Sequence, residues 1–245
     1  MILYFINSKE ERKRLKYIRK VIYSLNLNCK AIRINAIDGK SLIQEDILKS
    51  FDLNKYNKKN LWAITQEEIA CCLSHRKCYQ SLIASDEEYA LVFEDDIIIN
   101  NNFKEYLQFI DENLKSNVPR IILLSGWYWY SSKKIIDSKH YLCKIFDGRL
   151  AHAYFINKIA AKLILEKKPY YVADNWNEIK NIGIELYGFK PHFIDQNYTN
   201  DFNSTIQKGY PGVYNFGLTK WVKLKLRGVK RRMYKISGKY ERYVI

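Results

Sequence analysis

Apolar and polar positions along this chain fall into blocks that switch between the strand period and the helix period. Met1 to Ile6 is an apolar run, and Lys9 to Leu25 then carries Leu15, Ile18, Ile22 and Leu25 at helical steps with basic residues between them. The pattern predicts a strand feeding an amphipathic helix, with Ser8 placed to cap it. A second strand is predicted over Ala31 to Asn35, ending at the turn dipeptide Asp38-Gly39, and residues 50–60 read as a polar loop. Thr65 followed by Glu68 makes a capping box, so a helix is predicted over Thr65 to Ala84 with Ile69, Leu73, Tyr79 and Leu82 turned to the core. Tyr89 to Phe93 carries no alternating polar face, which is how a strand covered on both sides of a sheet reads. Beyond it the same reading gives a helix over Phe103 to Leu114, strands over Arg120 to Ser125 and Gly148 to Asn157, and a helix over Lys158 to Lys167 that Pro169 stops. A short helical stretch after Asn175 and a last strand over Lys190 to Gln196 complete an alternation of strands and helices, the mark of an α/β domain.

The composition shifts once, near Tyr214, and divides the chain into residues 1–215 and a tail of residues 216–245. In the tail Val222, Leu226, Val229, Met233, Ile236 and Tyr240 recur at alternating steps of four and three, with Lys223, Lys225, Arg227, Lys230, Arg231, Arg232 and Lys235 between them. This predicts a basic amphipathic helix despite Gly228. The formal charge is +15, and Lys220 to Arg242 holds ten Lys or Arg against the single Glu241, so this segment supplies nine of the fifteen excess charges. Its partner should be anionic. A membrane interface, with about 1 kcal/mol per basic residue near an anionic surface, is preferred over a helix packed on the domain with its basic face in water.

With 47% apolar and 27% charged residues, 245 residues can bury a proper core as an ordinary soluble protein. The six residues before the first polar ones are too short for a signal peptide, and no stretch reaches the roughly 18 apolar residues of a membrane span. The five Cys are expected as reduced thiols in the cytosol.

Chemistry concentrates where the Tyr89 strand ends, in Glu94-Asp95-Asp96. In extended chain Glu94 and Asp96 would project to one side and Asp95 to the other, and three acids so close call for a positive partner, a hard divalent cation being the simplest. The plainer reading is an acidic loop facing water. Cys71, His75 and Cys78 share a face of the preceding helix. With adjacent cysteines and no second ligand pair at finger spacing, small buried thiols are a better reading than zinc. Gly126-Trp127-Tyr128-Trp129-Tyr130 offers too many aromatics for one face of a core, so some should be exposed as platforms for sugars or bases, unless they cap the core beneath a loop.

TQEEIACCLSHRKCYQSLI followed closely by YALVFEDDIII resembles the signature of glycosyltransferase family 25, the bacterial lipooligosaccharide glycosyltransferases. Ile6-Asn7-Ser8 with Arg12, Ile37-Asp38-Gly39, and GRLAHAYFINKIAAKLI match other parts of the family pattern, over most of Met1 to Gln196. The resemblance implies a GT-A-type nucleotide-binding α/β domain with a mixed, mostly parallel sheet flanked by helices, followed here by the basic amphipathic helix. It implies a UDP-sugar donor, commonly UDP-galactose and sometimes UDP-glucose, and a divalent cation, Mn2+ or Mg2+. Glu94-Asp95-Asp96 would be the DXD-like element, with glutamate in its first acidic position. Glu94 and Asp96 would hold the metal; Asn7, Arg12, Asp38, His75, Glu94 and Asp95 would sit at the nucleotide or sugar. Inversion needs a general base, and Asp174 is the candidate, with a helix cap before Asn175 as its other reading. His75 and His152 are secondary candidates for substrate contacts or structural hydrogen bonds. The expected acceptor is a lipooligosaccharide at the cytosolic face of the inner membrane, with no nucleic acid as partner.

Two other classes remain open on the residues alone. The basic tail and abundant aromatics would suit a nucleic-acid-binding protein, although the charge is confined to one end. The acids would also suit a two-metal phosphoryl-transfer enzyme or nuclease.

Overall fold

The computed structural model describes residues 1–60, 62–197 and 218–242. The predicted boundary between residues 215 and 216 lies outside the described residues. In chain order the strands are β1 (Ile2–Asn7), β2 (Ala31–Asn35), β3 (Tyr89–Phe93), β4 (Ile97–Ile99), β5 (Arg120–Leu123), β6 (Tyr128–Ile135), β7 (Tyr141–Gly148), β8 (Ala153–Asn157), β9 (Glu185–Lys190), β10 (Ile194–Gln196) and β11 (Tyr240–Glu241). The helices are α1 (Arg12–Leu25), α2 (Gln44–Ser50), α3 (Leu53–Lys59), α4 (Gln66–Ile83), α5 (Leu107–Leu114), α6 (Lys158–Leu165), α7 (Trp176–Asn181) and α8 (Leu218–Ile236).

Nine strands form one sheet in the order β11-β6-β7-β9-β5-β8-β3-β1-β2. β1 pairs in parallel with both β2 and β3, β5 with β9, and the other pairings are antiparallel. Followed through those pairings, β1, β2, β3, β5, β6 and β9 all point one way, so the expected mixed, mostly parallel sheet flanked by helices is what forms. β1 decides which helix covers which face. Its Tyr4 and Ile6 join a core with Ile69, Tyr79 and Leu82 of α4 and Ile164 of α6, while Leu3 and Phe5 pack with Ile18 and Leu25 of α1 and Ile110 of α5. A register slip of one residue would exchange these sets, and each fully buried side chain is worth about 1.5–3 kcal/mol, so the alternation holds the strand in place.

Several local expectations change. Ser8 does not cap α1: the helix begins at Arg12 behind Glu11, and the Ser8 hydroxyl donates to Glu10 instead. The stretch read as a polar loop contains α3, because the Asp52 carboxylate caps Lys55 N at 2.9 Å and Tyr56 finds a buried place. The aromatic run enters β6, which turns Tyr128 and Tyr130 into the core and leaves Trp127 40% exposed. Gly188 of β9 lies against the Tyr128 ring, where a Cβ would come within 2.8 Å of it. The last predicted strand is interrupted after Lys190, and β10 pairs with β4 in a separate two-stranded ribbon.

α8 docks by its polar side. Arg227 and Arg231 both reach the buried carboxylate of Asp147 at the end of β7, and Tyr234 meets Phe146 edge-on at 5.1 Å. The apolar seam therefore points outward, with Leu226, Val229, Met233 and Ile236 between 53% and 87% exposed. Among the described residues no helix is long and apolar enough to cross a membrane.

Candidate active site

β1 lies between β2 and β3, so the connection after β1 leaves to one side and the connection after β2 crosses back to the other. A crevice opens beyond the carboxyl ends of strands at such a switch, and ligands of open α/β sheets bind there. The crevice is a cleft of about 340 Å3 bounded by the end of β1, the start of α1, the loop after β2, α4 and the turn after β3.

Each wall has a local cause. Asn7 ends β1 with its side chain buried and donates Nδ2 to Asp95 Oδ2 at 2.6 Å. The loop after β2 is drawn onto α4 because Ser74 accepts Ile37 N at 2.9 Å. Gly39 permits this approach, since a Cβ there would lie 2.7 Å from the backbone of Glu67. Asp38 stands exposed on that loop at the cleft and accepts Lys40 N at 3.0 Å. The capping box of Thr65 and Glu68 starts α4 as expected, and the helix delivers Cys71 and His75 to the cleft one turn apart.

After Phe93 the chain turns instead of running on extended, so the predicted alternation of the three acids does not apply. Glu94 faces His75, whose Nε2 lies 3.2 Å from its Oε1. Burial opposes the charge on Glu94, but that bond, with His152 and Arg14 nearby, outweighs it and holds the carboxyl below its usual value. Asp95 turns to Asn7 and to Arg14, whose Nη1 is 3.1 Å away. Burial pushes the Asp95 carboxyl up, against the pull of Asn7 and Arg14. Asp96 does not line the cleft: it is 3% exposed, accepts Gln196 Nε2 at 2.8 Å and is 3.7 Å from Arg14. Burial, then the charge of Glu94, lifts its carboxyl to about 7.

The site thus brings Asn7, Asp38, His75, Glu94 and Asp95 to one cleft. Arg12 is exposed and lies outside the lining, whereas Arg14, 8% exposed, is the arginine among the acids. The signal for Arg14 was present, because it extends the buried stripe of α1 one turn ahead of Ile18. Gln196, a hundred residues from its partner Asp96, carries no such signal. Asp174 is half-buried beside the cleft, close enough to Glu68 and Cys71 for its charge to act on both. It accepts Leu150 N weakly at 3.4 Å and does not cap α7, whose cap position is Asn175. His152 is buried behind Glu94, offers Nε2 to Ile194 O at 3.3 Å and does not line the cleft. Cys78, expected beside Cys71 and His75, is sealed in the core with its thiol towards Ser74 O.

A hard divalent cation fits the acids on one specific atom. Asp96 Oδ1 is buried with no hydrogen-bond partner, a cost of about 1–3 kcal/mol unless a positive or donor group meets it. Cations of this class take one or two carboxylates and leave the remaining positions to water and phosphate oxygens.

Residues 1–175 match the family described as "Glycosyltransferase family 25 (LPS biosynthesis protein)". Procollagen galactosyltransferase 2 of Homo sapiens is 28% identical over 119 residues, 46% of this chain and 18% of that protein. The Mus musculus protein of the same name matches to the same extent, so the aligned stretch spans less than a fifth of these relatives. Among solved structures, a glycosyltransferase involved in the glycosylation of the major capsid of PBCV-1 is similar with a TM-score of 0.38 and 11% identity, over 82% of this chain and 96% of that one. A UDP-glucose pyrophosphorylase complexed with UDP-glucose is similar with a TM-score of 0.37 and 12% identity, over 77% of this chain and 91% of that one.

Proposed function

This chain belongs to glycosyltransferase family 25, and from that premise we propose that it moves a hexose, galactose first, from a UDP-sugar to a sugar acceptor of lipooligosaccharide, with inversion and with a divalent cation. The observation that carries the reading is the cleft at the strand ends, where Asn7, Asp38, His75, Glu94 and Asp95 converge, with the buried, unpartnered Oδ1 of Asp96 next in the chain. Asp96 and Glu94 would hold the cation. When bound, it would neutralise charge developing on the departing diphosphate.

The chain's own groups then have definite work. Arg14 and Asn7 fix the Asp95 carboxylate at the floor, leaving it to accept hydroxyls of the donor. His75 is locked by Tyr154 at 2.8 Å and so presents a fixed edge to the cleft. Asp174, close to Glu68 and Cys71 of α4, would take the proton of the attacking acceptor hydroxyl.

The outward apolar seam of α8, flanked by exposed Lys225, Lys230, Arg232 and Lys235, supports the membrane reading over a helix with its apolar face packed inward. Deleting residues 218–245 should weaken binding to anionic vesicles and spare turnover of a soluble acceptor; vesicle binding equal to that of the intact chain would remove this part. The transferase reading is tested by UDP release in manganese with UDP-galactose, UDP-glucose, UDP-N-acetylglucosamine and UDP-N-acetylgalactosamine offered separately, with and without a lactosyl or glucosyl acceptor. Chelator-sensitive release from one donor supports it. Salt-sensitive binding of RNA or DNA by a protein silent to all four donors would favour the nucleic-acid reading.

A further inference from the structure

Among the described residues, one group of side chains is arranged to chelate, and it is not the acidic trio. Cys71 Sγ, His75 and Glu94 offer donor atoms that all lie within 4.8 Å of one another on the wall of the cleft. We infer that they form a second cation site, for a soft divalent ion of the zinc class.

The geometry suits such an ion. Nitrogen and oxygen ligands of tetrahedral zinc sit at about 2.0–2.2 Å, which places two of them roughly 3.4 Å apart. His75 Nε2 and Glu94 Oε1 are already 3.2 Å apart. Cys71 precedes His75 by one turn of α4, so a rigid helix supplies two of the three ligands and only the thiol must draw inward. The ring is also held from behind. His75 Nδ1 is 2.8 Å from the Tyr154 hydroxyl, which is 2.7 Å from that of Tyr79. This hydroxyl pair can accept the Nδ1 proton when Nε2 is a ligand, the outer-shell support usual for a metal-bound imidazole. Binding breaks the Cys71 S–H bond, releases that proton to water and forms the sulfur–metal bond; the proton with which His75 Nε2 meets Glu94 is given to water while Nδ1 takes one up, so the ring stays neutral, Nε2 becomes the ligand and Nδ1 donates towards Tyr154. Three protein ligands leave the fourth position open to the cleft.

Ligand type separates this site from the one assigned to Asp96. A thiolate and an imidazole select zinc or cobalt over manganese and magnesium, which prefer oxygen. Glu94 is common to both sites. An ion held at Cys71 therefore withdraws Glu94 from the hard-cation site, and zinc should inhibit sugar transfer in the presence of manganese. That consequence rests on the transferase reading, whereas ion binding does not.

The test is a cobalt titration of the metal-stripped full chain, read by thiolate-to-cobalt charge-transfer absorption and reversed with zinc. A band saturating at one equivalent is expected, lost in Cys71→Ser and kept in Cys29→Ser. No band in the intact chain, or a band that survives Cys71→Ser, overturns the site. Should Cys71→Ser fail to fold by circular dichroism, alkylation of the unaltered protein decides: one equivalent of zinc should protect Cys71 and leave Cys29 reactive, and equal labelling of Cys71 with and without zinc overturns the site. UDP release measured in parallel keeps the claims apart. A cobalt band without zinc inhibition overturns the inhibitory role alone, and a cobalt band with no UDP release from any donor counts against the transferase reading alone.

Discussion

Replacing Asp147 by alanine should release α8 from the domain while leaving the sheet intact. Its carboxylate is fully buried and takes Arg227 Nη2 at 2.5 Å together with Arg231 Nε, and Asn177 Nδ2 at 3.2 Å. Burial opposes its charge, yet the two guanidinium groups win and hold its carboxyl below the usual range. A hydrogen bond to a charged partner is worth about 1.5–3 kcal/mol. Both arginines remain about a quarter exposed, so the lower figure applies to each, about 3 kcal/mol together. At 1.4 kcal/mol per factor of ten, the ratio of docked to undocked helix should fall on the order of 100-fold. The Phe146–Tyr234 ring contact, the bond from Tyr130 Oη to Gly238 O at 2.9 Å and the pairing of β11 with β6 would remain as tethers. Amide hydrogen exchange reads the change directly: residues 226–236 should exchange on the order of 100-fold faster in the variant, with α4 unchanged. Exchange in α8 within about twofold of the parent would show that the helix is held by something other than this ion cluster.

Other outcomes follow from single contacts. His192 sits between Glu241, 2.8 Å from Nδ1, and Asp195, 2.9 Å from Nε2; burial opposes its charge, but these bonds raise its pKa above the ordinary 6.5. The folded chain then binds this proton more tightly than the unfolded one, so the contribution is complete below pH 6.5 and is lost as pH rises through the raised value. Thermal melts should show stability falling over that window in the parent and a flatter profile in His192→Gln; equal slopes would refute the assignment. Gly39→Ala should cost about 1–3 kcal/mol in denaturant unfolding, because the new methyl meets the Glu67 backbone at 2.7 Å. An unchanged midpoint would mean the loop can move away from α4 without loss.

The parallel half of the sheet was legible because its signals are local. β3 needs both faces covered and reads as an unbroken apolar run, and α4 announces its start through Thr65 and Glu68. β6, β7 and β9 were not. β7 and β9 carry Asp147 and Gly188 where a strand pattern wants apolar residues, and those positions make sense only beside Arg227, Arg231 and the Tyr128 ring. The same distinction holds in the site. Asn7, His75 and the three acids are carried by motifs, whereas the inward turn of Arg14 and the partnership of Asp96 with Gln196 depend on elements far apart in the chain. Glu94 displaced Cys78 as the companion of Cys71 and His75 because helical spacing does not reveal what faces the helix from the neighbouring strand.

The central claim is that the cleft transfers sugar with the help of a cation held at Asp96. The most direct measurement compares UDP release from the preferred UDP-sugar by the parent and by Asp96→Ala across a manganese titration, with folding of both checked by circular dichroism. The account predicts manganese-dependent release in the parent and a loss of about 100-fold or more in the variant. Full turnover by Asp96→Ala would contradict it.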